Sequence, residues 1–75
     1  MVGIRGGRIN MENEYNVICP NLESASAIKA WVHSVGGRIT DTYSRFDFDI
    51  MIEDVFVDDF EQKCEELGLE NKFLR

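Results

Sequence analysis

One histidine, one proline and two cysteines are all that this 75-residue chain contains of those residue types, and no apolar run approaches the length of a membrane span. Each scarcity excludes something. Cys19 and Cys64 stand 45 positions apart, in no Cys-x-x-Cys or Cys/His spacing, so neither a zinc cluster nor a disulfide framework is expected. Reduced, partly buried thiols are the expectation, which suits a cytoplasmic location. Spanning a bilayer takes about 20 consecutive apolar residues, and a secretory leader needs an apolar core near the N-terminus. Neither is present. His33 is the sole histidine and lies beside an apolar helical stripe, where a boundary position suits it better than a catalytic one. Without a nucleophile, a base and a third orienting group in evident relation, no enzyme is expected.

Positive charge is scarce as well. Residues 47–70 hold ten acids against the single base Lys63, and the whole chain carries a net charge of −6. Such a field repels nucleic acid and anionic membrane and attracts basic protein surfaces. The apolar fraction of 44% is nonetheless ordinary for a folded domain.

The run Phe46-Asp47-Phe48-Asp49-Ile50-Met51-Ile52-Glu53 alternates apolar and acidic residues almost perfectly. Successive strand side chains point to opposite faces, so this is a strand with one face for a core and one for carboxylates. Phe48 is expected inside and Asp49 outside. Glu14–Cys19 and Arg38–Ser44 read as two further strands, the latter with Ile39, Asp41 and Tyr43 on one face and Thr40, Thr42 and Ser44 on the other. A tight turn at Ser44-Arg45 should join the second strand to the third.

Between the first two strands, Ala25, Ile28, Trp31, Val32 and Val35 recur at helical spacing, with Asn21 as N-cap and Gly36 just beyond the end. A second helix should begin near Asp58, with Glu61 three residues on forming a capping-box-like pair, bury Phe60, Cys64 and Leu67, and end at Gly68 with Leu69 folding back toward Cys64. Residues 71–75 suit a short edge strand. Residues 1–13, with three glycines and no periodicity, read as a flexible arm, either an expression remnant or a leader ahead of an alternative start at Met11.

The order strand, helix, strand, strand, helix, strand predicts a single α+β domain over residues 14–75. Its expected architecture is ferredoxin-like βαββαβ: a four-stranded antiparallel sheet with two helices on one face. The first and third strands should be central, and right-handed crossovers suggest that they run parallel. The expected core is Tyr15, Val17, Ile28, Trp31, Val32, Val35, Ile39, Phe46, Phe48, Ile50, Ile52, Phe60, Cys64 and Leu67. Asn16, Ile18, Thr40, Thr42, Asp47, Asp49, Met51 and Glu53 should line the uncovered face.

That fold hosts unrelated functions. RNA-binding versions place aromatic and basic residues on the central strands, where this chain has Asp47 and Asp49. The stretch Ser34-Val35-Gly36-Gly37-Arg38-Ile39, a helix turning through glycines into a strand, resembles ligand-binding ACT domains and also propeptide-type inhibitors of subtilisin proteases. The first resemblance implies a small-molecule-sensing or sheet-mediated assembly domain, although the loop from Cys19 to Ser24 lacks the glycine of an ACT site. The second implies a protease inhibitor. In size and charge alone the chain resembles small acidic phage proteins that block nucleic-acid-handling proteins of their host.

Composition and patterning together favour a small acidic interaction module that inhibits or modulates a larger protein by occupying a basic surface; for a partner that handles nucleic acid, its carboxylates would stand in for the backbone phosphates. The contact residues expected are Asp47, Asp49, Met51, Glu53 and Ile18 on the sheet, and Asp58, Asp59 and Glu61 on the second helix. Met51 and Ile18, side by side on the central strands, would supply an apolar centre. No cofactor or metal is implied. A homodimer through a sheet edge is the other partner this pattern allows.

Overall fold

A computed structural model describes residues 11–75; the expectation for the arm over residues 1–10 lies outside them. The elements follow as β1 (Glu12–Ile18), α1 (Leu22–Ser34), β2 (Arg38–Ser44), β3 (Asp47–Glu53), a 3-10 turn (Asp54–Phe56), α2 (Val57–Leu67) and β4 (Glu70–Phe73). They form one four-stranded sheet in the order β2-β3-β1-β4, with every neighbouring pair antiparallel. This is the expected α+β architecture, compatible with a ferredoxin-like fold.

The expected parallel relation of the two central strands is overturned. β1 and β3 run antiparallel, Tyr15 opposite Ile50 and Val17 opposite Phe48. The reason is topological. A crossover through α1 makes β1 parallel to β2, and β3 returns from β2 by a tight turn into the gap between them. It must therefore oppose both. Glu12 and Asn13, expected to precede the domain, belong to β1 and pair with Glu53 and Ile52.

Both helices feed a single core. Val17, Phe48, Ile50 and Ile52 from the central strands meet Ile28 and Val32 of α1 and Phe60 and Cys64 of α2, all essentially without solvent exposure. Aromatic contacts bind the elements: the Tyr15 and Phe60 rings, joining β1 to α2, lie 4.8 Å apart between centroids, and those of Trp31 and Phe60, joining the two helices, lie 6.0 Å apart. The Lys29 ammonium sits 4.8 Å from the Phe48 ring centroid, on the rim of the same layer. Phe46 does not join this core. β3 begins one residue later, and Phe46 stands exposed in the turn, its carbonyl accepting from the Cys19 amide at 2.7 Å. Trp31, Val35, Ile39 and Leu67 pack against the core half-buried, while Cys19, Ala25 and Leu69 are fully part of it.

Local chemistry sets the element ends. Asn21 caps α1, its Oδ1 accepting from the Ser24 amide at 2.8 Å. At the close of α2, Gly68 adopts φ 73°, and the Leu69 amide donates to the Cys64 carbonyl at 2.8 Å. This is the expected Schellman closure. α2 starts close to the expected Asp58, but the expected capping pair of Asp58 and Glu61 does not form. Its first residue is Val57, and no side chain caps it. The 3-10 turn leads straight into the helix, so Asp58 lies inside the first turn and acts through the helix dipole with Asp59.

Gly36 and Gly37 serve different needs. Gly36 takes φ 78°, which ends α1. At Gly37 a Cβ would fall 2.6 Å from the Met51 carbonyl oxygen and 2.8 Å from the Ile52 side chain, so only glycine lets the chain pass so close to β3.

Candidate functional site

No described helix covers the second face of the sheet, and that face is where the expected contact residues gather. The register sets cross-strand rows upon it. Lys72, Asn16, Asp49 and Asp41 form one row across β4, β1, β3 and β2. Glu70, Ile18, Asp47 and Ser44 form the next. Towards the other end stand Glu14, Met51 and Arg38, and then Glu12 opposite Glu53.

Hydrogen bonds tie these rows into a network. The Asn16 amide bridges two carboxylates, donating to Asp47 Oδ1 at 2.8 Å and to Asp49 Oδ1 at 3.0 Å. The Tyr43 hydroxyl donates to Asp49 Oδ2 at 2.6 Å. Both oxygens of Asp49 are thus engaged, and the residue is only 5% exposed. This overturns the expectation that Asp49 points freely into solvent. It occupies the outward side of the strand, but its neighbours roof it over. Donating to a carboxylate also favours the protonated phenol, so this bond with Asp49 pushes the Tyr43 pKa up to about 12.

Glu14 is equally well covered. Its carboxylate accepts from Thr40 Oγ1 at 2.6 Å and from Arg75 Nε at 2.8 Å. These partners, Thr40 first, hold its pKa below the usual glutamate value despite the opposing effect of desolvation. Arg38 donates to Glu12 at 3.1 Å and also touches the Met51 sulfur at 3.2 Å. It thereby offsets the like-charge pairing of Glu12 with Glu53.

Tyr43 reaches this face through an irregularity that strict alternation misses. β2 shifts register against β3 between Ile39 and Asp41 and again between Thr42 and Ser44. Each bulge adds a residue and reverses the alternation beyond it. Asp41 therefore leaves the face of Ile39 and stands opposite Asp49, while Thr42 stands opposite buried Phe48 instead of lining the open face. The sequence signal for Asp49 burial is slight: a tyrosine and an asparagine within strand reach of an acid.

The remaining expected contact residues are divided. Asp47 is half-buried under Asn16, Met51 is half-buried beneath Arg38, Glu53 is half-buried, and Ile18 is 43% exposed. Met51 and Ile18 are not side by side: Met51 pairs with Glu14 and Ile18 with Asp47, so Ile18 lies four positions along β1 from the partner of Met51. Asp58, Asp59 and Glu61 are exposed on α2, which packs on the other side of the sheet. The acids of residues 47–70 consequently form two surfaces.

Neither thiol is poised for chemistry. Cys19 and Cys64 are buried and unbridged, and burial pushes the Cys64 pKa up to about 12 and raises that of Cys19. His33 is exposed near the end of α1. Among the described residues, no group of three or more histidine, cysteine, aspartate or glutamate side chains is placed to hold a metal ion, and no helix is long and apolar enough to cross a membrane. No family model, curated protein or solved structure matches this chain.

Proposed function

We propose that this protein is a small non-enzymatic interaction module that inhibits or modulates a larger protein by occupying one of its basic surfaces with the open face of the sheet. The observation that carries the reading is the fixed geometry of that face. Asp47 and Asp49 are held by one asparagine amide, and Tyr43, 59% exposed, is pinned by its hydroxyl over Asp49. Ordering these groups before contact lowers the entropic cost of docking. A tyrosine among carboxylates also has the composition of a contact surface, aromatic in part and charged around it. Asp41, Asp47 and Glu53 would steer the partner, and Tyr43 would supply the desolvated contact. Fixed carboxylates of this kind suit a partner that ordinarily holds nucleic-acid phosphates. The exposed acids of α2 would add to the long-range field from the other side of the molecule without touching the same partner surface.

The test is kinetic. The partner is captured from an extract of the source cells, and association rates are measured for the native chain and for a variant in which Asp41 and Glu53 are both changed to lysine. These two residues are chosen because reversing buried Asp49 would confound folding with steering. The expected result is an association rate lowered at least tenfold at low salt, with the difference shrinking towards physiological ionic strength. An unchanged rate refutes the docking face.

A further inference from the structure

The two edges of the sheet are built differently, and the difference points to a second copy of this chain. Strand β2, at one edge, carries two bulges against β3. Bulges of this kind discourage further strand pairing. Strand β4, at the other edge, pairs with β1 in unbroken register from Glu70 to Phe73, and among the described residues nothing lies along its outer side.

Which backbone groups β4 presents outward follows from its end. The Leu74 amide donates to the Glu14 carbonyl at 2.8 Å, so the amide of residue 74 points at β1. Backbone groups alternate along a strand. The amides of Glu70 and Lys72 therefore also point at β1, and those of Asn71 and Phe73 point outward.

We infer that the protein forms a homodimer by antiparallel pairing of β4 with β4 of a second copy, about a two-fold axis at Asn71. The register follows from phase and charge. Outward-pointing Asn71 would exchange both backbone hydrogen bonds with Asn71 of the second copy. Glu70 would then stand opposite Lys72 of the second copy, and Lys72 opposite its Glu70. Those are non-hydrogen-bonded positions, where side chains approach most closely. Neither Glu70 nor Lys72 takes part in an ion pair within the described residues. Phe73, 57% exposed, would lie opposite Leu69 on the helix side. Centring the axis on Glu70 or on Lys72 would set like charges against each other, and centring it on Phe73 would leave Lys72 opposite Leu74. Only the Asn71 register matches hydrogen-bond phase and charge together, and it would join the two sheets into one of eight strands.

Sedimentation equilibrium of the full chain over a range of concentrations tests this. The expected result is a reversible dimer. Glu70→Lys alone, or Lys72→Glu alone, creates two like-charge pairs per dimer and should weaken association on the order of tenfold. The double exchange, Glu70→Lys with Lys72→Glu, should restore it. Asn71→Pro removes an amide that points away from β1 and should abolish the dimer while leaving the far-ultraviolet circular dichroism unchanged. A chain that stays monomeric at every concentration overturns the inference. So does a dimer indifferent to the single exchanges, or a double exchange that fails to restore pairing.

Discussion

Replacing Asp49 by alanine should destabilise the fold, although the residue lies on the solvent side of its strand. The residue is 5% exposed, and its carboxylate accepts from Asn16 at 3.0 Å and from Tyr43 at 2.6 Å. A hydrogen bond to a charged group contributes about 1.5–3 kcal/mol, so two give a ceiling of about 3–6 kcal/mol. Two effects lower that figure. Removing the carboxylate ends the cost of keeping a charge out of water, and it relieves repulsion from Asp47 and Asp41 in the adjacent positions. A net loss of about 2 kcal/mol is therefore expected, against about 0.5 kcal/mol or less for Asp41→Ala on the exposed edge strand. Asp49→Asn keeps the shape and should fall between the two. In a domain of this size each kcal/mol lowers Tm by about 4–8 °C, so thermal melts of the three variants separate them readily. If Asp49→Ala and Asp41→Ala melt together near the native temperature, the network on the open face contributes nothing and the argument from its geometry fails.

Three further outcomes follow from the same structure. Phe48→Ala should cost about 3–5 kcal/mol by emptying a fully buried site between the sheet and α1, measured by urea denaturation. Gly37→Ala should destabilise by about 1–3 kcal/mol through overpacking against the backbone of β3, whereas Gly36→Ala meets no atom and suffers only left-handed backbone strain of about 1–2 kcal/mol; D-alanine introduced by chemical synthesis should be tolerated at position 36, where equal damage from both enantiomers would refute the distinction. Tyr43 should titrate near 12 in the native chain, followed by phenolate absorbance, and earlier in Asp49→Ala. Because its folded pKa lies above the unfolded value of about 10, its stabilising contribution is complete below pH 10 and disappears as pH rises towards 12.

Much of this protein can be read from local chemistry. Glycines and Asn21 punctuate the helices because a left-handed turn and an unpaired amide each demand particular residues, and α1 and α2 lie close to where that punctuation puts them. The alternation from Asp47 to Glu53 assigns Phe48, Ile50 and Ile52 to the core, because a strand has a period of two and the core accepts one face. Element order then yields the layered α+β architecture. Three features needed the third dimension. The antiparallel relation of β1 and β3 depends on which gap a returning strand fills, and no local periodicity carries that information. The bulges in β2 break the alternation without any glycine or proline to mark them, and they move Asp41 and Tyr43 onto the open face. The burial of Asp49 was decided in the same way. A residue's side of the strand is local, but its exposure depends on neighbours from other strands, and Asn16 and Tyr43 close over it only once the register is set.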